Sequence, residues 1–72
     1  MEDKVLDIMR EVFETENVST ASSQKNCTRW DSLHHLALAS ELEDAFEIEL
    51  EPEEIAEMTD FGRVVAMIQS KI

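Results

Sequence analysis

WDSLHHLALASELEDAFEI, residues 30–48, is the stretch whose reading decides the fold. At 100° of rotation per residue, Leu38, Leu42, Ala45 and Phe46 fall on one side of a helix, with Ala39 beside them, an apolar stripe at i, i+4, i+7, i+8 that needs a core to face. Asp31 is placed to cap this helix, and Ser32 falls in its first turn. The other side is unusual. Leu33, Leu36, Ala37 and Ser40 make a second, shallower apolar strip, followed by Glu43, Asp44 and Glu47. A helix that only had to cover a core would carry charge there instead. Ser32 therefore stands at the positive end of a helix dipole, beside a partly apolar surface with an acidic rim. That combination marks a candidate site.

Outward from this helix the pattern stays helical. Residues 2–16 predict a first helix, with Val5, Ile8, Met9, Val12 and Phe13 at i, i+3, i+4, i+7, i+8 and with Glu2 and Asp3 in the dipole-favoured first turn. Residues 17–30, NVSTASSQKNCTRW, change character, because Ser, Thr and Asn compete for backbone hydrogen bonds and disfavour helix. They predict a long loop anchored by Val18 and Trp30, with Cys27 a small semi-buried hydrophobe. Beyond the central helix, Pro52 suits the first position of a short third helix, with Glu53 and Glu54 in its first turn and Ile55 and Met58 turned inward. Thr59 or Asp60 caps a last helix whose stripe is Phe61, Val64, Val65, Ile68 and Ile72. Gly62 costs that helix about 1 kcal/mol relative to Ala, so it is expected to mark a close approach of another element. The expected architecture is all-α: a small four-helix bundle, three longer helices and one short, in a single domain over residues 1–72.

At 72 residues the chain folds as one domain but encloses no deep cleft, since so small a domain buries only about 60% of its unfolded surface. A hydrophobic fraction of 43% argues against disorder. The charge is lopsided, with 17 acids against 6 bases and a formal net of −11. No Lys or Arg lies between Asp31 and Asp60. Such a surface repels nucleic-acid phosphates and anionic lipid and attracts basic protein patches, with solubility alone as the plain alternative. Cys27 is the only cysteine, which excludes an internal disulfide and suits a reducing compartment. With no run of transmembrane length and no signal-peptide pattern, a cytoplasmic setting is expected.

Ser32 and His35, with Asp31, have the residue types of a hydrolytic triad and an i, i+3 spacing. A triad also needs a buried acid orienting the base and an oxyanion hole in a sheltered pocket, which a bundle this small does not supply. His34 and His35 diverge by about 100° on a helix and cannot share one metal ion, with or without Cys27. His35 lies at the edge of the core stripe and reads as a packed histidine bonded to the long loop. EIELEPEE lacks the Gly and the acid spacing of a calcium loop.

Read in register without gaps, DSL at Asp31–Leu33, then Leu38, Leu42, Glu43 and Phe46, then Glu53-Glu54-Ile55 and Met58-Thr59, then a Val and Ile68 of the last helix, resemble acyl carrier proteins. The resemblance covers nearly the whole chain and is loosest in the long loop. It implies that Ser32 bears 4′-phosphopantetheine, placed there from coenzyme A by a phosphopantetheinyl transferase, with Asp31 completing the motif. It implies a monomeric carrier and no enzyme. Acyl or aminoacyl groups would ride as thioesters to acyl-loading and acyl-processing enzymes with basic docking patches, with Leu33, Leu36, Ala37, Ser40, Glu43, Asp44 and Glu47 as the surface those partners meet. The WDSL-x-HL form looks like free-standing carriers of specialised pathways. Three departures fall on that face. Arg29-Trp30 stand where the family usually has Gly, His34 stands where it has an acid, and Ala37 replaces an acid often found five residues after the serine. The alternative from another class is an unmodified acidic adaptor binding a basic partner through the same face.

Overall fold

The computed structural model describes residues 1–72 and contains four helices: α1 (Glu2–Phe13), α2 (Ser32–Phe46), α3 (Pro52–Glu57) and α4 (Phe61–Lys71). The molecule measures 27 × 23 × 18 Å. No helix is long and apolar enough to cross a membrane. Its core is the sum of the stripes that the helical periodicity marks. Val5, Met9 and Phe13 of α1 meet Leu38, Ala39 and Leu42 of α2 and Phe61, Val64, Val65 and Ile68 of α4, with Val18, Cys27, Trp30, Leu50 and Met58 from the connections. Ile8, Val12, Phe46 and Ile55 are half-buried around this set.

Three expectations are corrected. The first helix ends at Phe13 rather than at residue 16, because Glu14 turns left-handed at φ 54° and Thr15 N–H closes back on the Arg10 carbonyl at 3.2 Å. The cause lies far along the chain. Arg29 donates through Nε to the Phe13 carbonyl at 2.8 Å and pairs with Glu14 at 3.0 Å, so the α1 terminus is capped from the end of the long loop. Ile72 is 68% exposed, since α4 stops at Lys71 and the stripe runs out one residue too early. Gly62 marks no close approach either. A Cβ there would meet only Asp60 Oδ1, at an ordinary 3.5 Å.

Residues 17–30 are irregular but well tied. Ser19 and Ser22 exchange bonds (Ser19 N–H to Ser22 Oγ 2.9 Å, Ser22 N–H to Ser19 O 3.0 Å), and Asn26 Oδ1 accepts from Ser23 N–H at 2.8 Å. The loop then pairs with the α3–α4 turn. Gln24 N–H donates to the Thr59 carbonyl at 3.0 Å and Phe61 N–H to the Ser22 carbonyl at 2.9 Å, a single antiparallel bridge of Ser23 with Asp60. This satisfies the backbone of a segment that would otherwise be too long to order.

Each later helix has its own terminus chemistry. Asp60, rather than Thr59, caps α4 by accepting from Arg63 N–H at 2.8 Å. Pro52 opens α3, and Glu54 Oε1 reaches back to Glu51 N–H at 2.8 Å. The same oxygen receives Lys71 Nζ at 2.8 Å, which fastens the end of α4 to α3. That ammonium, and next the Glu51 backbone, hold the Glu54 carboxyl below its ordinary value.

Candidate functional site

Asp31 begins the site. Its backbone is extended, at φ −94° and ψ −176°, and its Oδ1 accepts the free N–H of His34 at 2.9 Å. The His34 ring folds back onto the same oxygen, with Nδ1 at 2.8 Å; since a carboxylate only accepts, Nδ1 carries the proton. The His34 backbone N–H, followed by its ring, holds the Asp31 carboxyl below the ordinary aspartate value. Ser32 is the first residue of α2 and is exposed.

His35, one turn on, is buried and carries the most constrained hydrogen bonds of the region. The Trp30 indole N–H donates to His35 Nδ1 at 2.9 Å, and His35 Nε2 lies 2.7 Å from the Ile55 carbonyl. Indole is a donor only and a carbonyl an acceptor only, so the imidazole is neutral with its proton on Nε2. Both nitrogens are engaged, and His35 offers Ser32 no base. The expected packed histidine is there. Its second partner, on α3, is not written in the local sequence. Trp30 lies under Phe13 with ring centroids 5.2 Å apart, and His34 meets Phe13 edge-on at 6.2 Å.

The strip beside Ser32 is turned outward. Leu33 is 80% and Leu36 60% exposed, and Ala37, Ser40, Asp44 and Glu47 are exposed as well. Glu41, which rotation places one turn beyond Ala37, joins the exposed acids and borders a shallow groove with Glu11, Val12 and Ala37. Its i+4 spacing from Ala37 is the sequence signal that places it on the same face.

Glu43 departs from the other acids. It is half-buried, and its Oε2 accepts from the Leu50 backbone N–H at 2.9 Å, pinning the segment after α2 against the helix. Glu47 occupies the left-handed cap of α2 at φ 55°. No cluster of three or more His, Cys, Asp or Glu side chains is arranged to hold a metal.

The residues at the head of α2 fit a phosphate ester. Ser32 is exposed, and the Ser32 and Leu33 backbone N–H groups belong to the unpaired first turn of a helix, where dipole and donors favour an anion. His34 and His35 N–H groups are already taken by Asp31.

The all-α arrangement of four helices, three long and one short, is the acyl-carrier-protein fold. No protein-family model and no curated protein matches the sequence. Among solved structures the chain is similar to the solution structure of holo acyl carrier protein from Geobacter metallireducens, with a TM-score of 0.86 and 25% identity over 97% of this chain and 83% of that one.

Proposed function

We propose that this chain is an acyl carrier protein that bears 4′-phosphopantetheine on Ser32 and presents tethered acyl or aminoacyl intermediates to partner enzymes of fatty-acid, polyketide or related specialised biosynthesis. The observation that carries the reading is an exposed serine at the first position of α2, in an Asp31-Ser32-Leu33 sequence, on a fold that matches a holo carrier. In loading, Ser32 Oγ forms a bond to the pantetheine-side phosphorus of coenzyme A. The bond to the adenylate half breaks, and the hydroxyl proton leaves to the transferase. The bound arm supplies a terminal thiol that holds cargo as a thioester. The protein's own contribution is a rigid origin for the arm, which raises the cargo's effective concentration at each docked enzyme, and a surface that partners read.

Leu33 and Leu36 supply exposed apolar area on that surface, and Asp44, Glu47 and Glu41 supply the acidic rim. Small, central apolar contacts set residence time, whereas rim charges set the rate of encounter. Incubation with coenzyme A and a broad-specificity phosphopantetheinyl transferase should add one phosphopantetheine to the intact mass, and Ser32→Ala should abolish the addition. No mass change with several transferases would leave the acidic adaptor as the better reading. Modification that persists in Ser32→Ala would mean that another serine is the site.

A further inference from the structure

Three bonds close around Ser32. Asp31 Oδ1 takes the His34 N–H at 2.9 Å, the Asp31 carbonyl takes the His35 N–H at 2.8 Å, and outside both the Trp30 indole reaches His35 Nδ1 at 2.9 Å. The last is a side-chain ring that starts two residues before the serine and ends three after it. It is buried at both ends, with Trp30 3% and His35 8% exposed. From the same imidazole, Nε2 extends to the Ile55 carbonyl of α3 at 2.7 Å. One neutral ring thus joins the end of the long loop, the head of α2 and the middle of α3.

We infer that His35 is a positioning residue for the modification of Ser32: with Trp30 it closes a side-chain ring that holds the serine turn in the geometry a transferase needs, while its bond to Ile55 serves α3 separately. This rests on the carrier reading of Ser32. The physical case is that Ser32 is exposed and its Oγ must meet a phosphorus atom in line. A reacting group displaced by about 1 Å can lose about a hundredfold in rate, even when the cause lies away from the reacting atoms. The strip proposed for partner contact is exposed, with Leu33 at 80% and Leu36 at 60%, whereas His35 is buried, so binding and orientation would be carried by different groups. Opening the ring should lower kcat and spare KM, because an interaction needed only for the reacting geometry appears in kcat.

The two nitrogens can be separated by substitution. The His35→Asn amide reaches about as far as Nδ1 and can still accept from Trp30, but it falls short of Ile55. The His35→Gln amide reaches about as far as Nε2 and can still donate to the Ile55 carbonyl, but it leaves the indole without its acceptor. Trp30→Phe opens the ring from the other side while keeping an aromatic against Phe13. With wild type loaded by a phosphopantetheinyl transferase and coenzyme A, His35→Gln and Trp30→Phe should each lose about tenfold or more in kcat with KM within about twofold, and His35→Asn should load close to wild type. Melting temperatures are measured on the same samples, and Trp30→Phe keeps the test open if His35→Gln fails to fold. If kcat falls in proportion to melting temperature across all three variants, or if all three load like wild type, the positioning role is overturned and the carrier reading stands. If wild type itself is not loaded by any transferase, the carrier reading fails and takes this role with it.

Discussion

Replacing Glu43 should hurt the fold, although by residue type it belongs with the acids proposed for docking. Its carboxylate is the acceptor for the Leu50 N–H at 2.9 Å, and Leu50 is itself buried at 8% exposure. Removing the acceptor strands a part-buried backbone donor, which costs about 1–3 kcal/mol; the partial burial points to the lower half of that range, about 1–2 kcal/mol. In a domain of this size each kcal/mol moves the melting temperature by about 4–8 °C, so Glu43→Ala should melt about 4–16 °C below wild type. Glu43→Gln keeps an oxygen acceptor and should recover most of the loss. Asp44→Ala is the matched control: it removes the same charge from an exposed position one residue along and should stay within about 0.5 kcal/mol of wild type. Circular-dichroism melts of the three variants decide the matter. Glu43→Ala melting together with Asp44→Ala would refute the reasoning.

Leu38, fully buried, should cost about 2–5 kcal/mol as Leu38→Ala and lower the melting temperature while the folded fraction still loads; Leu36→Ser, at a position 60% exposed, should stay within about 0.5 kcal/mol yet slow loading, and a large drop in its melting temperature would put Leu36 in the core. The depressed Asp31 carboxyl makes a pH prediction with a definite sign: its folded-state value lies below the ordinary 3.8, so its stabilising contribution is present above that pH and is lost as pH falls through the folded value. Asp31→Asn keeps a good cap without a charge, so the gap in melting temperature between it and wild type should be open near neutral pH and close as acid is added; a gap constant down to about pH 2 would contradict the assignment. Asp44→Lys and Glu47→Lys should each raise KM for transferase loading at low salt, with the difference from wild type shrinking as salt is added; equal KM values at low salt would remove these acids from the proposed docking surface.

How far the sequence could be read depended on how local each cause was. The two faces of α2 follow from rotation alone, because each residue's angle is set by its neighbours. Asp31 and Asp60 as caps, and Pro52 as a helix opener, are equally local, since each bonds within a turn. What escaped was set by residues distant in the chain. The end of α1 depends on Arg29 reaching Phe13, and it offers no glycine as a signal because Glu14 takes the left-handed cap instead. The pairing of Ser23 with Asp60 joins a loop to a turn thirty-seven residues on, with no strand-like alternation to announce it. Glu43 has the same residue type as its neighbours, and only the return of Leu50 turns it inward. Of the candidate site, the serine and its exposed strip were legible. The bond from His35 to α3 was not, since Ile55 contributes a backbone atom that every residue possesses.

The basic side chains have a further consequence. Lys4 donates to the Ala45 carbonyl, Arg10 pairs with Asp7, Arg29 with Glu14, Arg63 with Asp60 and Lys71 with Glu54, which leaves Lys25 as the one base without such a tie. Five of six positive charges are thereby occupied by near neighbours, so most of the acids have no cation to answer them and repel one another across a body only 27 Å long. At about 0.1 M ionic strength the screening length is roughly 10 Å, shorter than the molecule, so counter-ions quench much of that repulsion. Ionic strength then acts with two signs. On the proposed carrier reading, the salt that weakens docking to a basic enzyme also relaxes the strain of holding eleven net negative charges together, and the protein should melt highest under the conditions in which it docks least.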